Sequence, residues 1–232
     1  MFKGNKSDLS DEDAFEPKIG GARMFNKYID CDDMTEDTLL LATIRMNTNF
    51  ALVSVRCILN SPNYDEEVYG TRYVYYFFHL QSLLTACGNI TSAFFNPKPY
   101  SSINPDTRRY DGGIYRRIEE SARRFRENYG ITRGRYNLIF EKEMRNTVIH
   151  SNERIIEHNG RLGDFNIIDH TTNQTVIDEI LGTPHLRTID LRTMRYYTYD
   201  RRKRQITISL HELEQQLVDL QRAIGEAGNH QL

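Results

Sequence analysis

The sequence predicts a mainly α protein: an up-and-down helical bundle with a small β hairpin or insert before its C-terminal helix. Three observations carry that prediction. Apolar residues recur at steps of three and four along successive stretches between residues 36 and 158, as one buried face of an α-helix requires. Short β-branched runs replace that period between residues 165 and 209. A capped amphipathic stretch then closes the chain. At 232 residues, 39% hydrophobic and 27% charged, the chain has the composition of a globular protein with room for a substantial core.

Residues 1–35 contain Lys6-Ser7-Asp8-Leu9-Ser10-Asp11-Glu12-Asp13 and Gly20-Gly21 with little apolar periodicity, and read as an acidic, mobile N-terminal arm. Asp33-Met34-Thr35-Glu36 offers a capping start for a first helix. Its stripe of Leu41, Ile44, Leu52, Val55 and Leu59 runs to the break at Ser61-Pro62-Asn63. The second helix has the cleanest pattern: Tyr69, Tyr73, Tyr76, Leu80, Leu83, Cys87, Ile90 and Phe94 form a coiled-coil-like seam, ended by Asn96-Pro97-Lys98-Pro99. A connection of about fifteen residues follows, punctuated by Asn104-Pro105 and Gly112-Gly113.

Ile114 to about Tyr129 is an Arg-rich third helix with Ile118, Ala122, Phe125 and Tyr129 on one face, closed by Gly130. A fourth is expected from about Arg135 to His158, with Tyr136, Phe140, Met144, Val148 and Ile155 on one side. Strands are expected at 165–168, 188–191, 195–199 and 205–209, the last two as a hairpin across Asp200-Arg201-Arg202-Lys203-Arg204. Ser209-Leu210-His211-Glu212 is a capping box for a final helix through Leu213, Leu217, Leu220 and Ile224. The organisation is therefore an arm over 1–35 and a helical domain over 36–232, with a β-containing insert at about 161–209.

The formal net charge of −2 is unevenly spread. Residues 1–38 hold ten acids and five bases, whereas residues 187–204 hold seven bases and two acids. Such asymmetry fits either a polyanion-binding face or a solvated surface balanced in three dimensions. No run reaches the roughly eighteen uninterrupted apolar residues of a spanning helix, and the first residues lead into acids, so the expected location is cytoplasmic, with no membrane partner. Cys31, Cys57 and Cys87 lack CxxC spacing, which favours reduced thiols over disulfides or a metal site. No Gly-rich phosphate loop, G-x-S-x-G elbow or H-E-x-x-H motif is present, which removes the footing for P-loop hydrolases, serine hydrolases and zincins.

The chemistry-bearing stretch is Arg145-Asn146-Thr147-Val148-Ile149-His150, followed by Ser151-Asn152-Glu153-Arg154. On a helix Asn146 and His150 share a face, and Glu153 and Arg154 continue it one turn on. Arg145 is offset by about 100°, but its stem can swing the guanidinium toward the imidazole. A permanently charged fork suits phosphate oxygens, and the imidazole can take or deliver a proton near neutral pH. Glu153 can orient His150 and favour its protonated form. The spacing R-x4-6-H occurs three times, at Arg72 to His79, Arg145 to His150 and Arg204 to His211. The asparagine directly after the arginine and the helical setting single out Arg145. Arg72 and His79 are supporting candidates beside the aromatic seam, where the alternative is a half-buried structural histidine. Arg201, Arg202, Lys203 and Arg204 are candidates for tracking an RNA backbone, with a charged hairpin turn as the alternative.

Arg145-Asn146-x-x-x-His150 near the end of a bundle helix, continuing into Glu153-Arg154, resembles the R-x4-6-H signature of the HEPN superfamily (higher eukaryotes and prokaryotes nucleotide-binding). The resemblance covers about residues 36–158 and, less closely, the last helix. It implies a metal-independent endoribonuclease without cofactor, commonly a toxin or antiviral defence effector, whose two protomers join their motifs in one composite cleft. Partners implied are an RNA substrate, a second copy as homodimer, and an antitoxin or regulatory protein. By that resemblance Arg145 would grip the scissile phosphate, Asn146 would position it, and His150 would be the general acid or base. The alternatives are a non-catalytic HEPN-like nucleotide- or protein-binding module, and a structural helical oligomer built on the Tyr69 to Phe94 seam.

Overall fold

In the computed structural model, residues 36–61, 69–95, 112–143, 146, 163–168, 173–183, 185–200 and 202–226 are described. The chain divides into Met1–Met34 and Thr35–Leu232. The expected acidic arm therefore lies outside the described residues, as do the connection between the second and third helices and most of the stretch from 144 to 162.

The first two stripes form antiparallel helices, α1 (Glu36–Leu59) and α2 (Tyr69–Phe95). Ile44, Ala51, Leu52, Val55 and Ile58 of α1 are buried, as are Tyr76, Leu80, Leu83, Cys87, Ile90 and Phe94 of α2. From Tyr76 to Phe94 the α2 seam is thus spent inside the fold, while the side chains of Tyr69 and Tyr73 lie outside the described residues. Polar groups between the helices are satisfied locally: Asn89 Nδ2 donates to Asn47 Oδ1 at 2.9 Å, and Tyr75 donates to the Cys57 carbonyl at 3.0 Å. By length and composition α1 could also cross a membrane, and among the described helices it alone meets that test. Here its apolar face packs into the protein core.

The third helix, α3 (Gly112–Asn128), ends as its glycine predicts. Gly130 adopts φ 61°, the Ile131 N–H reaches back to the Arg126 carbonyl and the Gly130 N–H to that of Glu127. This is a Schellman closure, and buried Phe125 and Ile131 supply its apolar contact. Arg126 also donates to the Phe94 carbonyl, and the Arg126 and Arg133 guanidinia lie 5.2 and 4.4 Å from the Phe95 ring centre. Part of the arginine-rich character of this region is therefore structural.

The expected fourth helix does not begin at Arg135. Residues 133–140 form consecutive turns, and helical geometry is described only at Lys142, Glu143 and Asn146. The four-residue spacing of Tyr136 and Phe140 does report a common inward face, since both are buried. Isolated bonds such as Tyr136 N to Thr132 O and Phe140 N to Tyr136 O produce that spacing without a continuous helix. The segment is anchored on both sides. Thr91 Oγ1 of α2 donates to the Ile139 carbonyl at 3.2 Å, and Gln216 accepts from the Leu138 N–H at 3.1 Å while donating to Asn137 at 2.8 Å.

The β-branched runs form a four-stranded sheet in the order β1 (Gly163–Ile168), β2 (His185–Asp190), β3 (Arg195–Tyr199), β4 (Gln205–Ser209). β2, β3 and β4 pair antiparallel, and β3–β4 is the expected hairpin. β1 pairs parallel to β2, which the short β-branched runs do not by themselves indicate. Parallel neighbours need a crossover. The connection contains a further helix, α4 (Gln174–Gly182), capped by the Asn173 side chain on the Thr175 N–H. Ile189, Tyr196 and Ile208 stand in register across three strands and join the helical core. Leu186, Thr188 and Tyr197 belong to the other face, where Tyr199 donates to the Leu181 carbonyl of α4 at 2.9 Å.

The last helix, α5 (Leu210–Glu226), starts where Ser209 Oγ accepts from the Glu212 N–H, as the capping-box pattern predicts. It returns to α1: Arg45 donates to the Ile224 carbonyl at 2.8 Å, and Arg56 pairs with Glu214 at 2.8 Å. The latter pair is largely exposed and contributes about 0–1 kcal/mol. Burial of Leu213, Leu217, Leu220 and Ile224 does far more to hold α5 in place.

Candidate functional site

The anchored segment 131–143 delivers the chain to Asn146. Ile139, Glu141 and Lys142 lie beside Leu84, Cys87 and Thr91 on one flank of α2. Asn146 is helical and half-buried, and its Nδ2 donates to Glu143 Oε1 at 3.4 Å. The amide is therefore held by a carboxylate one turn earlier. Glu143 is a neighbour that sequence reasoning misses. Its three-residue spacing from Asn146 is the available signal, since such a pair shares a helix face. Arg145, His150, Glu153 and Arg154 lie outside the described residues.

Arg72 falls within α2, but its side chain lies outside the described residues. His79 is half-buried and packed edge-on to Tyr75 and Phe78, with ring centres 4.5 and 5.3 Å away. Burial lowers its pKa, so the neutral imidazole is favoured. It lines a groove of ≈ 1240 Å³ between α1 and α2. The chain leading to Asn146 runs along a different flank of α2, against Leu84, Cys87 and Thr91. His79 thus belongs to a different surface from that segment.

The basic hairpin turn is organised by an acid. Asp200 Oδ1 accepts from the N–H groups of Arg202 and Arg204 at 2.8 and 2.9 Å, and the Arg204 side chain bonds Oδ2 at 2.7 Å. The Arg204 N–H is the main influence holding the Asp200 carboxyl below its ordinary pKa. Burial opposes it, and the Arg204 side chain and Arg202 N–H reinforce it. Arg204 is thereby committed to the turn, while Arg202 and Lys203 are exposed. Arg201 lies outside the described residues.

Among the described residues no group of three or more His, Cys, Asp and Glu is placed to hold a metal ion. Cys57 and Cys87 are free thiols, and burial pushes the Cys87 pKa up to about 12, so it is an inert core group. Cys31 lies outside the described residues. No family model, no curated protein and no solved structure matches this chain.

Proposed function

We propose that the chain is a metal-independent endoribonuclease of HEPN type, cleaving RNA in a composite cleft of two copies. The observation that supports it best is the helical, half-buried position of Asn146, with Arg145 beside it and His150 four residues on in the sequence. Such spacing brings an amide and an imidazole to one face, next to a guanidinium that can reach it. In the proposed step the RNA 2′-oxygen attacks the adjacent phosphorus and the 5′-oxygen leaves. His150 takes the 2′-hydroxyl proton or supplies one to the leaving oxygen, and the two imidazoles of a dimer could divide those roles. Arg145 offsets the charge that builds on the phosphate oxygens. The reading places the protein in the cytoplasm as a toxin or antiviral effector, held in check by an antitoxin or regulatory protein.

The test is incubation of purified protein with mixed RNA in excess EDTA. Cleavage leaving 2′,3′-cyclic phosphate ends is expected, and His150→Ala should reduce it at least a hundredfold while leaving the circular dichroism spectrum unchanged. Undiminished cleavage by that variant would remove His150 from the mechanism. One observation favours a second reading, a non-catalytic nucleotide- or protein-binding module of the same type. The Asn146 amide donates to the Glu143 carboxylate of its own segment, which engages it within the chain in place of a scissile phosphate. No cleavage by the wild type, together with saturable binding of a nucleotide, would establish that alternative.

A further inference from the structure

The α1–α2 layer carries two sets of apolar residues on each helix, and only one set is used inside the protein. On α1 the outward positions Leu39, Thr43, Met46, Phe50 and Val53 step by four and three, the period of a coiled-coil seam. On α2 Val74, Phe78, Gln81 and Thr85 do the same. The inward α2 seam of Tyr76, Leu80, Leu83, Ile90 and Phe94 lies about 170° away around the helix axis. The two outward seams flank the α1–α2 groove, whose floor holds small or neutral residues, among them Asn47, Ser54, Ser82, Ala86 and Asn89.

The exposure is large for such side chains: Phe50 57%, Val53 61%, Phe78 64% and Met46 48%. An aromatic ring presents about 150–250 Å² in full, so the two phenylalanines alone leave about 200 Å² open to water. With Met46, Val53 and the more distant Leu39 and Val74, the stripe reaches the few hundred Å² that mark an interaction surface, and extends toward the about 800 Å² per partner of a standard interface.

From these features we infer that a second copy of this chain docks here, the two α1–α2 pairs facing each other as a four-helix layer with the Met46–Phe50–Val53 ridge of each copy against the partner's groove. Two arguments select this occupant. The described lining residues include no Asp, Glu, Lys or Arg, so the groove offers no counter-charge to the acidic arm, which has ten acids and five bases in residues 1–38, or to nucleic acid. A partner with the same heptad seams supplies knobs of the spacing the grooves accept, and because ridge and groove lie side by side on one face, a two-fold axis can set each copy's ridge against the partner's groove. The nuclease reading needs two copies but names no surface; this inference stands without it.

The experiment is sedimentation equilibrium of the full chain, without RNA, alongside Phe50→Ser/Phe78→Ser and, separately, Met46→Lys. A wild-type dimer is expected, with its dissociation constant raised at least a hundredfold in the double variant and at least tenfold in Met46→Lys. Circular dichroism should show unchanged helix content, because these side chains lie outside the core. A monomeric wild type, or a dimer indifferent to both variants, would overturn the inference. So would binding of wild type, but not the double variant, to neutral phosphatidylcholine vesicles in place of self-association. A wild type that dimerises through Phe50 yet leaves RNA intact would sink the nuclease reading and leave this one standing.

Discussion

Two aspartates govern the tight turns of the sheet in the same way. Asp190 accepts from the N–H groups of Arg192 and Thr193 and from the Thr193 hydroxyl, and Asp200 does the equivalent for Arg202 and Arg204. Each turn ends with a non-glycine residue in the left-handed region, Met194 at φ 49° and Lys203 at φ 61°. A side chain costs about 1–2 kcal/mol there. Lys203→Gly should relieve that cost and raise stability by about 0.5–1 kcal/mol after the greater freedom of unfolded glycine is deducted, as urea denaturation would show. A loss of stability would mean that the lysine stem packs usefully. The Asp200 contribution has a defined pH range. Its pKa is lowered by folding, so its stabilisation is complete above the unfolded value near 3.9 and is lost as pH falls through the lower folded value. The melting-temperature gap between wild type and Asp200→Asn should therefore stay constant from pH 7 to 5 and close in stronger acid. For the candidate site, a hydrogen bond to a charged group is worth about 1.5 kcal/mol or more, so Asn146→Ala should weaken RNA binding about tenfold if the amide contacts phosphate. Unchanged affinity would separate Asn146 from the RNA. The Asp200 turn is legible in the sequence because Asp before a charged run is turn chemistry. The Glu143 contact is not, because a search for partners of His150 leads forward along the helix to Glu153 and away from the preceding turn.

Among the elements, α2 shows most directly what periodicity reports. Its inward seam is readable because Tyr76, Leu80, Leu83, Ile90 and Phe94, all large and buried, recur at the helical period. Leu83, fully buried, should cost about 2–5 kcal/mol as Leu83→Ala, whereas Phe78→Ser on the outward seam should change the unfolding free energy of the monomer by about 0.5 kcal/mol or less. Comparable losses would place Phe78 in the core. The outward seam is hard to see in the sequence because Thr43, Gln81 and Thr85 interleave polar side chains with the phenylalanines, which blurs a stripe defined by hydrophobicity alone. The turns at 133–140 illustrate the converse. Apolar spacing records which side chains face the core, and isolated bonds such as Tyr136 N to Thr132 O and Phe140 N to Tyr136 O hold that facing without an unbroken ladder. The helix α4 and the parallel β1–β2 pair are invisible for a third reason: a nine-residue helix has little more than two turns of pattern, and strand partners are chosen by the whole fold.

At the level of the whole molecule the β-containing segment is more than an insert hung on a bundle. Ile189, Leu191, Tyr196 and Ile208 belong to the same apolar cluster as the cores of α1, α2 and α5, and β4 runs directly into α5. Helices on one face and α4 on the other leave the sheet with no independent core of its own size. Residues 35–232 should consequently unfold as one cooperative unit, because loss of the sheet would expose apolar surface on the helices that remain. Ile208→Ala, at a position 1% exposed, should cost about 2–5 kcal/mol and lower the opening free energies of the most protected amides in α2 and β3 by the same amount. Hydrogen exchange read by mass spectrometry resolves the two segments. If β3 opened more easily while α2 kept its protection, the sheet would be a separable module, and the shared core would be a contact between two folding units instead of one.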